Sequence, residues 1–173
     1  MNNKNWLFIS IIFPLLLLTS NLVYSEGDKD ELESLKGLKG VYVLVESIPP
    51  GIKEGKFTNE QIQADVESKL RLAGIKVVPR EERFGIPGWP TLYINVNAIL
   101  QKEGLVIYNI HIQLEQNVYL KRDTKTEITA TTWSNGSIGV VGLAKIIGIR
   151  DSIKDMVDIF INDYLSVNPK GEK

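Results

Sequence analysis

His111 is the only histidine of the chain and the first side chain to consider for catalysis. It lies in a stretch where apolar and polar residues alternate, and Gln113 and Glu115 fall on the same side of the predicted strand. A hydrolase can pair a histidine with a carboxylate, but no third member is visible and the sequence has no Gly-x-Ser-x-Gly motif. We therefore predict an exposed histidine on a polar binding surface, with no catalytic residue, no metal site and no cofactor.

Glu46 is the second candidate, because it falls on an otherwise apolar face of a predicted strand. A carboxylate without a partner would be costly there. We expect a buried charge that pairs with Arg80 or Arg83, or else a solvated carboxylate at the edge of the sheet. An acid/base role is the alternative, although the spacing identifies no partner carboxylate.

Two predicted loops carry apolar side chains. Residues 84–90 contain Trp89, and residues 134–143 follow Trp133 and have a glycine at every third position. This pattern matches neither the dinucleotide-binding fingerprint nor a P-loop. A plain flexible connection is the default interpretation of the second loop; among functional roles, a mobile segment that docks on a protein or lipid surface ranks above an anion site.

Tryptophans beside loops can stack on sugars or anchor an interface, although burial in the core is the default for both. The residues that we predict to bind a partner are Trp89, Trp133, Ile138, Val140, Val141 and His111.

The N-terminal segment is typical of a secretory signal peptide. A short head with Lys4 precedes the apolar residues 6–18, and Val23 and Ser25 fit the positions before a cleavage site. We expect cleavage after Ser25 and export of the rest, with a bacterial periplasm favoured over the extracellular space. The alternative is an uncleaved membrane anchor, for which about 20 apolar residues would be needed.

Composition excludes several classes of function. The chain has no cysteine, so it has no disulfide, no thiolate nucleophile and no lipoprotein acylation site. Its net charge is −1, and losing Lys4 with the signal peptide would make it −2. A nearly neutral domain has no broad basic field, so we predict no nucleic-acid partner. Membrane contact is expected only if the N-terminal segment stays uncleaved.

The first half of the exported part predicts a βαβ unit. Residues 26–40 are polar and acidic, which favours a solvated leader or a short amphipathic turn. A strand is predicted over residues 41–48, then a helix that begins with a capping box at Thr58 and ends at Gly74, then a short strand over residues 75–78. Strand, helix and strand in this order indicate parallel strands with a right-handed crossover.

The second half predicts an antiparallel meander and a closing helix. Strict alternation covers residues 92–100, 108–120 and 128–133, with a bend or bulge expected near Gln116. A helical repeat over residues 149–164 then ends before Pro169. The predicted fold is an α/β (α+β) two-layer sandwich, with a mixed sheet of about five strands and two helices on one face.

The domain organisation follows from these elements. We expect a signal peptide over residues 1–25, a leader over 26–40, a single domain over 41–168 and a tail over 169–173.

The order of elements is similar to that of small envelope domains, namely the TolB N-terminal domain and the periplasmic domain of CsgG-like curli-secretion-channel lipoproteins. The resemblance rests on the first strand, the helix ending Leu70-Arg-Leu-Ala-Gly-Ile75, the meander and the long final helix. It implies a role in envelope assembly or protein–protein contact.

Three hypotheses of function follow. The leading one is an exported, non-enzymatic domain that binds a protein or envelope component through the two apolar loops and a polar sheet face. The others are a small hydrolase that uses Glu46 or His111, and a carrier with a cavity between the sheet and the helices.

Overall fold

The structure is a computed structural model that describes residues 26–52 and 57–169. The predicted signal peptide and residues 170–173 of the predicted tail lie outside the described residues.

One mixed sheet organises the molecule. Its four strands lie in the order β1-β2-β3-β4, with β1 parallel to β2 and the other pairs antiparallel. The strands are β1 (Tyr42–Val45), β2 (Thr91–Leu100), β3 (Leu105–Leu120) and β4 (Asp123–Gly142). The described α-helices are α1 (Glu26–Leu35), α2 (Asn59–Leu72) and α3 (Gly148–Val167). The mixed α/β architecture of two layers is thereby confirmed.

The helix α2 begins and ends where its sequence signals predict. The Thr58 side chain accepts a hydrogen bond from the backbone N–H of Gln61 at 3.3 Å, which caps the first turn. The chain leaves the helix through Gly74, whose φ of 86° favours glycine. Between these ends, one face of α2 buries three apolar side chains, those of Ile62, Val66 and Leu70.

The predicted strand over residues 75–78 is reduced to one parallel bridge between Val77 and Val41. Only the hydrogen bonds from Val41 N–H to Lys76 O and from Val78 N–H to Val41 O hold it, both at 2.9 Å. The parallel direction was predicted correctly, and the sheet has four strands beside this single bridge where about five were expected, because the chain turns at Pro79 before a ladder can form.

The expected leader folds as a helix rather than as a solvated segment. Leu35 is fully buried and Leu38 is nearly so, and both belong to the main core. The Ser34 hydroxyl donates to the backbone oxygen of Thr132 at 2.9 Å, which ties α1 to β4. A third helix therefore joins the two predicted ones, because these leucines supply enough apolar area to dock it.

Strand register divides the sheet into two faces. Leu92 lies opposite Leu114 and Ile94 lies opposite Ile112, and all four are fully buried against the helices. The alternate residues point to the other side, where none of the described α-helices packs; we call this side the open face. It is the half-wet face that period-two alternation predicts.

The long hairpin of β3 and β4 changes register between Leu114 and Glu115. The irregularity lies next to Gln116, where a bulge is predicted. Beyond Glu115, β3 pairs with β4 alone and the two strands form a ribbon, since the register with β2 stops there.

Candidate functional site

The polar side chains predicted to form a surface lie together at the centre of the open face. Asn95 is opposite His111, and Asn97 is opposite Asn109. We call this group the amide patch, and its members are Asn95, Asn97, Asn109, His111 and Gln113. Amides and an imidazole offer both donors and acceptors, so the patch can hydrogen-bond either kind of group on a partner.

Glu46, the residue after β1, extends the amide patch to the edge of the sheet, where the second of the two expectations placed a solvated carboxylate. The side chain is exposed, and its Oε2 atom accepts hydrogen bonds from the Tyr93 hydroxyl and the Asn95 amide. Asn97 in turn donates to the Oδ1 atom of Asn95, which makes a chain of hydrogen bonds over the open face. The hydrogen bond to Glu46, helped by partial burial, raises the pKa of Tyr93 above its usual 10.0, because the neutral phenol is the donor.

The expected pairing of Glu46 with Arg80 or Arg83 is corrected by these contacts. Arg83 donates to the Thr91 hydroxyl at 2.8 Å, and its guanidinium lies 4.9 Å from the centre of the Phe84 ring. The backbone N–H of Glu46 bonds to Ile94, three residues further along β2 than Thr91. This offset is about 10 Å at 3.3 Å per residue, so Glu46 and Arg83 lie at different points along β2 and do not pair.

His111 is exposed and packs across the backbone of Gly136 on β4. A Cβ atom at position 136 would lie 3.3 Å from the imidazole, so glycine leaves room for the ring. Asn95 lies on the strand between Glu46 and His111. The two side chains of the hydrolase hypothesis are thus two strand spacings apart, about 10 Å, with an amide between them.

An apolar patch adjoins the amide patch at the end of β2. It consists of Ile99, Ile107, Ile138 and Val140, which are 64%, 40%, 77% and 63% exposed. Register places Ile107 opposite both Ile99 and Val140, so the patch is continuous over three strands. A shallow hollow of about 120 Å³ joins both patches, lined partly by Asn97, Ile107 and Ile138.

The predicted loop over residues 134–143 is almost entirely strand. Alternation puts Ile138 and Val140 on the open face, but Val141 lies opposite the buried Val106 and packs against the core. Val141 is therefore removed from the predicted binding residues. Gly139 is needed for strand pairing, because a Cβ atom there would come within 2.5 Å of the Tyr108 ring on β3. Two of these glycines, taken as a loop signal, instead make room for side chains of β3: Gly136 for His111 and Gly139 for Tyr108.

Trp133 is a core residue, which corrects its predicted place in a binding surface. It is 2% exposed, and its indole N–H donates to the Asp163 carboxylate at 2.9 Å. Its ring meets Phe160 edge to face at 5.0 Å. The register opposite Leu114 points it towards the helices.

Trp89 is 43% exposed and packs edge to face on Phe84 at 5.3 Å. It has a φ of 47°, which is rare for a residue other than glycine. It lies beside Thr91, whereas the apolar patch adjoins Leu100 at the other end of β2. Trp89 and the apolar patch are thus about 30 Å apart along β2, so they do not form one surface.

The described residues contain no other obvious reactive site. A hollow of about 230 Å³ lies between α1, β4 and α3, and the carboxylates of Glu31 and Asp163 line it. Within the described ranges, no group of three or more histidine, cysteine or acidic residues is placed to hold a metal ion. In the same part of the chain, no helix is long and apolar enough to span a membrane.

Comparison with solved structures finds distant structural neighbours of this chain. No protein-family model matches the chain, and a search of curated proteins found no match. The crystal structure of a minor lipoprotein from Acinetobacter baumannii is similar at a TM-score of 0.42 and 10% identity, over 80% of this chain and 99% of that one. This likeness is too distant to support a statement about function, and it does not confirm the resemblance to TolB or CsgG-like domains.

Proposed function

We propose that this protein is an exported, non-enzymatic domain that binds a protein component of the cell envelope through the open face of its sheet. The observation that carries the proposal is the juxtaposition of the amide patch and the apolar patch on a face that no described α-helix covers. An apolar contact beside fixed hydrogen-bonding groups is the usual composition of a protein interface.

The charges on this face favour a protein over a nucleic acid. The carboxylates of Glu46 and Glu115 lie beside the amide patch and both act on the phenol of Tyr93, and the guanidinium of Arg83 lies at the Thr91 end of the same face. Nucleic-acid binding depends on several lysine and arginine side chains near the phosphates, whereas the two carboxylates here would repel phosphates. The partner that we propose presents a neutral or weakly basic surface with exposed amide or hydroxyl groups.

The competing hypotheses receive less support from the geometry. Asn95 lies between Glu46 and His111, so these two side chains do not converge on one reacting atom. A carrier would need a cavity between the sheet and the helices, but that space is filled by one cluster of buried side chains, including Ile94, Ile112 and Phe160. Export, and a place in the envelope, rest on the signal-like segment over residues 1–25.

Co-purification with two matched lysine variants tests the proposal. Asn97→Lys places a charge in the amide patch, and Ser68→Lys places the same charge on the exposed side of α2. We expect a protein that co-purifies with the wild-type chain to be lost from Asn97→Lys and kept by Ser68→Lys. Retention by both variants, or loss from both, would place the binding surface elsewhere.

A further inference from the structure

We propose that two copies of this chain associate through the outer edge of β4, and that residues 136–142 pair antiparallel across a two-fold axis. The sheets would join into one of eight strands, four from each copy. This association goes beyond the proposed function, since the partner here is the chain itself.

The edge of β4 lacks the features that normally prevent strands from pairing. β4 is the last strand of the sheet, and no described strand pairs with its outer side. Proteins usually protect such an edge with charges, proline or a bulge. Residues 134–142 read Ser-Asn-Gly-Ser-Ile-Gly-Val-Val-Gly, with no charged residue and no proline, and their register with β3 is unbroken.

The two ends of the free edge fix where the axis passes. At one end α1 covers the strand, since the Ser134 hydroxyl donates to the Glu31 carboxylate at 3.1 Å. At the other end the chain turns into a short 3-10 helix at Leu143–Lys145. If the axis passes through Gly139, all of residues 136–142 can pair with the same residues of the second copy. Ile138 of each copy then lies opposite Val140 of the other. Cross-strand pairs of β-branched side chains stabilise antiparallel strands.

Charge complementarity favours a second copy over an unrelated partner. The Glu31 carboxylate lies at the Ser134 end of the edge, and the exposed Lys145 follows the Gly142 end. Antiparallel pairing brings Glu31 of each copy near Lys145 of the other, because a two-fold axis exchanges the ends. Opposite charges would then flank an uncharged apolar centre on both sides.

Sedimentation velocity over a range of concentrations tests this association. The chain is expressed from its full sequence and purified in the form that the cell produces. We expect a concentration-dependent dimer in the wild type. Val140→Lys adds a charge at a 63% exposed position of the edge, and Leu72→Lys is the control at an 83% exposed position of α2. Each cross-strand pair contributes about 0.2–1 kcal/mol and the axis repeats the substitution at two sites, so the dissociation constant should rise about 2- to 30-fold for Val140→Lys and stay unchanged for Leu72→Lys.

A charge exchange keeps the test valid if Val140→Lys fails to fold. Glu31→Lys and Lys145→Glu should each weaken the dimer, and the double variant should restore it. A wild-type chain that stays monomeric at high micromolar concentration, or a dimer that Val140→Lys leaves intact, would overturn the proposal. Val140 also belongs to the apolar patch, so the charge exchange at Glu31 and Lys145 separates the dimer from partner binding, which is tested at Asn97 on β2, two strands away from the edge.

Discussion

Replacing Trp133 by alanine tests the assignment of this tryptophan to the core. The side chain is 2% exposed, and tryptophan-to-alanine changes in cores cost about 3–5 kcal/mol. The change also removes the edge-to-face contact with Phe160 and the hydrogen bond to Asp163. We therefore expect a loss in the upper half of that range, about 4–5 kcal/mol, against a total of about 5–15 kcal/mol for a typical domain.

The matched control is Trp89→Ala, which removes the same side chain from a site that is 43% exposed. Its contact with Phe84 is on the surface, so we expect a loss of about 1 kcal/mol or less. Urea unfolding followed by circular dichroism gives both free energies of unfolding. Losses of equal size in the two variants would refute the assignment of Trp133 to the core and of Trp89 to the surface.

Three further predictions concern the helix layer, the open face and export. Asp65→Ala removes an α2 carboxylate that pairs with Arg150 of α3, where the two side chains are 24% and 12% exposed, so we expect a loss of about 1–3 kcal/mol in urea unfolding. Glu67→Ala breaks a pair within α2 whose arginine, Arg71, is 58% exposed, so it should cost about 0.5 kcal/mol, and equal losses would contradict this reading. Glu46→Gln should lower the pKa of Tyr93 towards 10.0 in a spectroscopic titration. The raised pKa of Tyr93 contributes stability that is present below pH 10 and lost as the pH rises through the folded-state pKa. A Tyr93 pKa that Glu46→Gln leaves unchanged would argue against the hydrogen bond. Mass spectrometry of the exported protein should show cleavage after Ser25, and an intact N-terminus would favour an anchor.

Local signals predicted much of the fold. The capping pair of Thr58 and Gln61 locates the start of α2, and Gly74 locates its end. Strict alternation predicts the meander and assigns Asn95 and His111 to one wet face. These features depend on residues close in sequence, so the sequence contains the information needed to recognise them.

The predictions that were wrong concern residues whose position depends on contacts with residues distant in sequence. The glycines of residues 134–143 resemble a loop, but Tyr108 and His111 on β3 need the space that Gly139 and Gly136 leave. Trp133 lies at a strand segment whose buried face depends on register and on the position of α3. The role of α1 depends on docking Leu35 into a core formed mainly by later residues. Neither local propensity nor periodicity contains these contacts.

Site-specific photo-cross-linking in cells is the most direct test of the claim that the open face binds a protein. A photoreactive residue is placed at Asn97 in the amide patch, or at Asp155 on the exposed side of α3 as a control. We predict a discrete adduct with another envelope protein from position 97 and none from position 155. An adduct from position 155 alone, or no adduct from position 97 in cells where the chain is exported and folded, would contradict the proposed function.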